Sequence, residues 1–150
     1  MSKPEFVYVT YIRTTPEKLW EALTDKAFIK KYWFGINAEC DWKKGSPWRI
    51  VFDDGRLADT GEILEADPPR RLVIGKWQNQ WMPELKAEGT ARCTMEIEQV
   101  GTSVKLTVTH TSDTEGGKLI AAVSNGWPRI LSNLKSLLET GELALETKPT

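Results

Sequence analysis

The sequence predicts an α+β fold in which a curved antiparallel sheet of about seven strands surrounds one long C-terminal helix. Two short helices are expected after the first strand. Apolar and polar residues alternate with a period of two over much of residues 36–110, which is typical of half-buried strands. Short turn sequences such as Asp54-Gly55 favour hairpins, whereas residues 126–141 carry one apolar helical stripe.

The N-terminal part of the chain predicts one strand and then two short helices. Residues 5–13 are rich in β-branched and aromatic side chains, which favour a strand. Thr15-Pro16-Glu17 combines a capping side chain, a proline for the first turn and an acidic residue, so a helix should start there. Asp25 is the expected cap of a second helix over residues 26–32. The inner face of the first helix is expected to carry Leu19, Trp20 and Leu23.

Six further strands are expected after residue 35. The stretch from Ile36 to Trp42 predicts a weak strand, and the later strands alternate more clearly. Because their connections are short, we expect an antiparallel meander with one buried face and one solvent-exposed face. Residues 78–89 are expected to form a polar loop that carries Trp81. The later predicted strands span residues 48–53, 57–66, 70–77, 90–99 and 104–110.

The long helix is predicted by apolar residues at steps of three and one, which place them on a single stripe. Asn125 is the expected N-cap, Pro128 falls in the first turn and Gly141 should end the helix. Apolar residues between 119 and 123 continue the stripe, so an earlier helical segment should lead in with a bend near Gly126. Burial of the stripe would contribute up to about 10–15 kcal/mol, so the helix needs a large apolar partner. The stripe consists of Trp127, Ile130, Leu131, Leu134, Leu137 and Leu138.

Length and composition indicate a single globular domain over residues 1–150. The net charge of −1 gives no basic surface for nucleic acid, and no apolar run reaches the roughly 18 residues of a membrane span. No signal-peptide segment follows Met1, and Cys40 and Cys93 lie too far apart for a metal-binding spacing, so we expect a reduced, cytoplasmic protein. With one histidine, no multi-histidine metal site can form, and no motif predicts a cofactor.

Five segments occur in an order that is specific when they are taken together. They are TTPEKLWEALTD at 14–25, KYWF at 31–34, DTGEILEADPPRRL at 59–72, LTVTHT at 106–111 and GWPRILSNLKSLLETG at 126–141. In this order they resemble the START-like (SRPBCC) superfamily with its helix-grip fold, and within it the branch named after the activator of the heat-shock-protein-90 ATPase. The resemblance implies a cavity between sheet and long helix that is reached from one end and takes an apolar or aromatic small molecule.

The family name also implies a chaperone partner and a role in the stress response. The activators themselves resemble this chain in only one of their domains and carry a separate domain that engages the chaperone. Because 150 residues leave no room for that second domain, we expect the chaperone role to transfer poorly. A monomer and a homodimer both remain open.

Aromatic residues are the main candidates for contact with a ligand, since indole rings stack on flat molecules while their N–H groups orient them. Core packing explains most of these side chains equally well, and for Trp20 it is the favoured explanation. Trp81, in the predicted polar loop, is either a lid or a surface residue. The predicted ligand-binding residues are Trp33, Trp48, Phe52, Trp77, His110, Trp127 and Leu131.

His110 is the weak candidate for catalysis, because histidine is the side chain that titrates near neutral pH. Alternation directs it to the core side with Leu106 and Val108, near the strand end that precedes the long helix. It is either a polar anchor or acid–base group at the cavity mouth, or a hydrogen-bonded structural histidine, and the structural role is favoured. No nucleophile motif of the GxSxG type and no phosphate-binding glycine loop accompanies it.

Other polar candidates have simpler explanations. The Asp53-Asp54 pair is explained by its hairpin turn. Asp59 and Glu62 could reach inward as acids, although solvated positions are favoured. Cys93 falls on an apolar strand face and is expected to be an inert core thiol.

Three functions follow, in order of preference. The first is binding of a small apolar or aromatic molecule between the sheet and the long helix, without turnover. The second is an enzyme similar to the aromatases and cyclases of this fold, with His110 as the acid–base group. The third is a protein-interaction module, with a chaperone or a second copy as its partner.

Overall fold

The computed structural model describes residues 4–145, in which seven strands and four helices form an α+β fold. The predicted domain boundaries of 1–150 extend beyond these residues at both ends. All strand pairs are antiparallel, and the strand order is β1-β7-β6-β5-β4-β3-β2. The strands are β1 (Glu5–Ile12), β2 (Asn37–Cys40), β3 (Pro47–Val51), β4 (Leu57–Asp67), β5 (Arg71–Asn79), β6 (Ala91–Val100) and β7 (Ser103–Ser112). The predicted seven-stranded antiparallel sheet is therefore confirmed.

The sheet bends where its strand registers shift. Shifts occur in the β3–β4, β4–β5 and β5–β6 pairs, and such bulges increase the local twist. Gly61 lies where β4 approaches β5 closely, since a Cβ atom there would stand 2.9 Å from the carbonyl oxygen of Gly75. Glycine at this position allows the strands to curve around the C-terminal helix.

The short helices begin where the sequence predicts. They are α1 (Pro16–Thr24) and α2 (Lys26–Tyr32). The hydroxyl of Thr15 accepts a hydrogen bond from the N–H of Lys18, and the carboxylate of Asp25 accepts one from that of Ala27. The buried face of α1 consists of Leu19, Ala22 and Leu23, whereas Trp20, predicted to be on the inner face, is only partly buried.

A third helix, α3 (Pro83–Ala87), lies inside the stretch predicted to be a polar loop. Pro83 opens this helix, and Leu85 is buried against the core. The sequence prediction was wrong here because five residues are too few to display a helical period.

The long helix, α4 (Leu119–Thr140), is continuous, so the predicted earlier segment and the predicted helix form one element without a separate start at Asn125. Asn125 and Pro128 lie inside it and not at its start. The helix can begin at Leu119 because a residue distant in sequence caps its N-terminus. The carboxylate of Glu88 accepts hydrogen bonds from the backbone N–H groups of Lys118 (2.8 Å) and Leu119 (3.2 Å). Gly141 ends the helix with φ of 83°, as predicted.

The core lies between the concave face of the sheet and α4. On β6 and β7 alternate side chains are buried, which confirms the predicted alternation. From α4, Trp127, Leu131 and Leu134 pack into this core. Among the helices within residues 4–145, none combines the length and hydropathy that crossing a bilayer requires.

Candidate functional site

A cavity of about 540 Å³ lies between α4 and the β3–β4 end of the sheet. This volume is in the range of pockets that hold drug-sized molecules, about 300–1,000 Å³. Lys31 and Trp81 are lining residues exposed to solvent, so they mark its rim. The lining residues are Lys31, Trp33, Phe34, Gly35, Ile36, Ile50, Phe52, Ala58, Asp59, Trp81, Gly126, Arg129, Ile130, Leu143 and Leu145.

One wall of the cavity is the tight turn that follows α2. Phe34 has φ of 49° and Gly35 has φ of 80°, so two consecutive residues adopt left-handed backbone conformations. The N–H of Gly35 donates to the carbonyl oxygen of Lys30 at 2.9 Å, which holds the turn against the helix end. This turn places Trp33 and Phe34 in the cavity wall.

A second wall is the C-terminal strap, which we define as residues 141–145. The side chain of Asn133, on α4, is fully buried and binds both backbone groups of Leu145. Its Oδ1 accepts from the N–H of Leu145 at 2.6 Å, and its Nδ2 donates to the carbonyl oxygen of Leu145 at 2.8 Å. These two bonds place Leu143 and Leu145 against the cavity. Sequence reasoning missed Asn133, although an amide beside an apolar helical stripe indicates a buried polar contact.

Behind the cavity, four tryptophans and His110 pack against one another. Ring centroids are 4.4 Å apart for Trp48 and Trp77, 5.5 Å for Trp33 and Trp127, and 4.8 Å for Trp77 and His110. The void that borders Trp33, Trp48 and Trp127 measures about 20 Å³, so this aromatic cluster is nearly close-packed.

The structure therefore divides the predicted ligand-binding residues into two groups. Trp33 and Phe52 line the cavity of about 540 Å³. The other five pack in the core behind it; they are Trp48, Trp77, His110, Trp127 and Leu131.

His110 is fully buried in the core, as the favoured structural role requires, and does not lie at the cavity mouth, where the anchor or acid–base alternative would place it. Its Nδ1 accepts a hydrogen bond from Nε1 of Trp127 at 3.1 Å, so the proton of the neutral ring is on Nε2. Within residues 4–145, Nε2 has no hydrogen-bond partner. Burial lowers the pKa of His110 to about 4, so the ring is neutral at pH 7.

Asp59 connects the aromatic cluster to the cavity. Its Oδ1 accepts a hydrogen bond from Nε1 of Trp77 at 3.2 Å, and the residue lines the cavity. Asp59 was considered from sequence but expected to be solvated. Lys31 and Arg129, the other charged lining residues, were not predicted for the site, because neither lies on an apolar stripe.

The rim is completed by an aromatic pair. The rings of Phe52 and Trp81 meet edge to face at 5.6 Å, and the guanidinium of Arg56 lies 5.0 Å from the centroid of Phe52. The Trp81 side chain is 45% exposed, and the backbone N–H of this residue donates a hydrogen bond to Oδ1 of Asn79 at 3.2 Å. The rim therefore carries exposed aromatic surface, whereas Arg56 beside it is paired with Asp54 at 2.7 Å.

The remaining polar candidates have structural partners. Lys30 donates to Asp53 at 2.8 Å, and this hydrogen bond lowers the pKa of the carboxyl group. Arg56 lowers the pKa of the Asp54 carboxyl group, mainly through a hydrogen bond from its backbone N–H. These contacts support the explanation of Asp53 and Asp54 as residues of a hairpin turn. Cys93 is fully buried, and burial raises the pKa of its thiol. Across residues 4–145, no three His, Cys, Asp or Glu side chains are arranged to hold a metal ion.

Comparison with solved structures shows the same fold in proteins of low sequence identity. Protein MLL2253 from Mesorhizobium loti is 23% identical with a TM-score of 0.77, over 90% of this chain and 96% of that one. An HSP90 activator from Plasmodium falciparum is 25% identical with a TM-score of 0.73, over 89% and 95%. The Aha1 dimer from Colwellia psychrerythraea is 21% identical with a TM-score of 0.72, over 92% and 98%. The comparison with curated proteins finds no match.

The sequence itself matches one family model over residues 13–139. That range starts just after β1 and reaches the last turn of α4. It includes β2 to β7, the aromatic cluster and every cavity-lining residue except Leu143 and Leu145. The chain therefore belongs to the family described as Activator of Hsp90 ATPase homolog 1-like protein, within the START-like superfamily.

Proposed function

We propose that this protein binds a small apolar or aromatic molecule in the cavity beside α4, without turning it over. The observation that carries this proposal is the cavity itself, about 540 Å³ with aromatic rings in its wall. The rings of Trp33, Phe34 and Phe52 offer flat apolar surfaces on which such a molecule can stack. The aromatic cluster behind them is close-packed, so it supports the cavity wall.

A cavity-filling substitution tests this proposal. Ile130 lies on α4 and lines the cavity, so Ile130→Trp should occupy space that a ligand would use. We expect the neutral fluorescent probe phenylnaphthylamine to bind the wild type saturably and the variant at least about tenfold more weakly, a loss of about 1.4 kcal/mol or more. Probe fluorescence measures both affinities.

Leu137→Trp is the matched control, since Leu137 is a partly buried residue of α4 that does not line the cavity. It should bind the probe as the wild type does. Equal probe affinity in the wild type and Ile130→Trp, or no saturable binding to the wild type, would contradict the proposal.

The acid–base enzyme has less support. His110 is the group on which that hypothesis depended, and its ring is fully buried behind the cavity wall. A general base must come within hydrogen-bond reach of its substrate. A molecule in the cavity would contact Trp33 and Phe52 before it reached this imidazole.

Protein association is the second candidate function, because β1 exposes a row of apolar side chains at the edge of the sheet. Val7 and Tyr11 are each 51% exposed and Val9 is 43% exposed. β1 is an edge strand, and such strands pair readily with another chain. The similarity to the Aha1 dimer of Colwellia psychrerythraea agrees with a second copy as the partner.

A further inference from the structure

The charges that line the cavity differ in sign from the charge of the whole chain. Lys31 and Arg129 are cationic and Asp59 is anionic, so two positive charges and one negative charge leave the lining at +1. The chain as a whole carries −1. In this sum the formal charges of Arg129 and Asp59 cancel. The remaining charge of +1 equals that of Lys31. A cationic lining raises the local concentration of anionic ligands.

Lys31 lies in the last turn of α2, where it is exposed and lines the cavity. Its Nζ lies 5.8 Å from the centroid of the Phe28 ring. In the part of the chain that the structure describes, no carboxylate forms an ion pair with Lys31. The adjacent Lys30 differs, since it is paired with Asp53 at 2.8 Å. Of these two neighbouring lysines, Lys31 is therefore the one that both lines the cavity and keeps a charge that no described carboxylate neutralises.

The interior of the cavity is suited to an apolar group. Its wall is formed largely by aromatic and aliphatic side chains, among them Trp33, Ile50 and Ile130. An ionised group moved among these apolar side chains, away from the charged lining residues, would lose hydration without gaining a partner, which is costly. A ligand that uses both features therefore keeps its charge at the rim and its apolar body inside.

Resting on the function proposed above, we infer that the ligand is an amphipathic monoanion whose carboxylate or sulfonate lies beside Lys31 at the rim. Its apolar part, aromatic or aliphatic, occupies the space between Ile130 and the rings of Trp33 and Phe52. The juxtaposition of one unpaired ammonium group with an aromatic cavity carries this inference.

Two probes that differ by one charged group test the inference. Anilinonaphthalene sulfonate carries a sulfonate, and phenylnaphthylamine is the same molecule without it. We expect Lys31→Gln to weaken binding of the sulfonate by about two- to fivefold, the usual contribution of a solvent-exposed ion pair, and to leave phenylnaphthylamine unchanged. Lys31→Glu should weaken the sulfonate further. High salt should weaken binding of the sulfonate to the wild type and leave Lys31→Gln nearly unaffected.

Lys44→Gln is the matched control, because Lys44 is exposed and does not line the cavity. It removes the same charge and should bind both probes as the wild type does. If Lys31→Gln weakens both probes equally, or neither of them, the inference is overturned while the cavity remains a binding site. If neither probe binds the wild type, the proposed function fails together with the inference.

Discussion

His110 and Trp127 form a buried polar contact between β7 and α4. The indole N–H donates to Nδ1 of the imidazole at 3.1 Å, so the contact requires the neutral form of the histidine. A proton on Nδ1 would remove the acceptor and place a charge among aromatic rings. At the scale of single residues, therefore, this contact makes the fold sensitive to acid.

We predict that the free energy of unfolding falls as the pH falls from about 6.5 to about 4. The pKa of His110 is about 4 in the folded protein and near 6.5 in an unfolded chain, so the unfolded state takes up the proton first. Stability attributable to His110 is complete above pH 6.5. It should be lower by about 2–3 kcal/mol at pH 4.5, when urea unfolding is compared at these two pH values.

His110→Gln is the variant that isolates this effect, because glutamine does not titrate and its carbonyl oxygen can accept from Trp127. All other titratable groups are the same in the wild type and the variant, so their contributions cancel in the comparison. The loss of stability between the two pH values should therefore be smaller in the variant by about 2–3 kcal/mol. The same loss in both proteins would show that His110 is not responsible.

Among the elements, α4 depends on contacts that come from distant parts of the chain. Glu88 caps its first turn, and Lys135 and Glu139 in its last turns bind backbone groups of Tyr11 and Arg13. Asn133, midway along it, holds the C-terminal strap. The helix is therefore bonded to the segment before β6, to the end of β1 and to the strap that forms one wall of the cavity.

We predict that Asn133→Ala releases the strap and speeds the dissociation of phenylnaphthylamine. The substitution removes both hydrogen bonds to Leu145, and breaking such buried bonds costs about 1–3 kcal/mol. Stopped-flow fluorescence would measure the dissociation rate, and hydrogen exchange would report opening at the amide of Leu145. Ser132→Ala, at the adjacent exposed position, is the control and should alter neither. An unchanged dissociation rate in Asn133→Ala would mean that the strap does not limit ligand release.

At the scale of the whole molecule, the exposed row of β1 is the surface at which we propose that a second copy binds. The edge of β1 is partly covered, since Nζ of Lys135 donates to the carbonyl oxygen of Tyr11 at 2.5 Å. The part of the strand around Val7 and Val9 projects apolar side chains to solvent. A second copy paired antiparallel to this strand would bring two such rows together.

We predict concentration-dependent dimers in sedimentation velocity that Val9→Lys abolishes, because a lysine in the row would face its own copy across the interface. Val100→Lys is the matched control, since Val100 is 45% exposed but lies on β6 outside the row. It should leave the dimers intact. A wild type that remains monomeric at every concentration would remove this candidate function.

The sequence by itself determined the seven strands, the two short helices, the long helix and their order, and it missed only α3. Alternation on β6 and β7, the caps at Thr15 and Asp25, and the glycine stop at Gly141 are local signals, and each was confirmed. These signals are reliable because a few neighbouring residues determine both burial face and backbone conformation. These local signals were sufficient to predict the fold class and the family resemblance.

Only the tertiary structure decided which aromatic side chains meet the cavity. Alternation shows which face of a strand a residue occupies, but it does not show where α4 touches that face. For this reason Trp48, Trp77 and Trp127 proved to be packed together, while Phe34, Arg129 and Leu143 line the space beside them. The same holds for the Glu88 cap and the Asn133 contact, because residues far apart in sequence come together only when the sheet has curved around the helix.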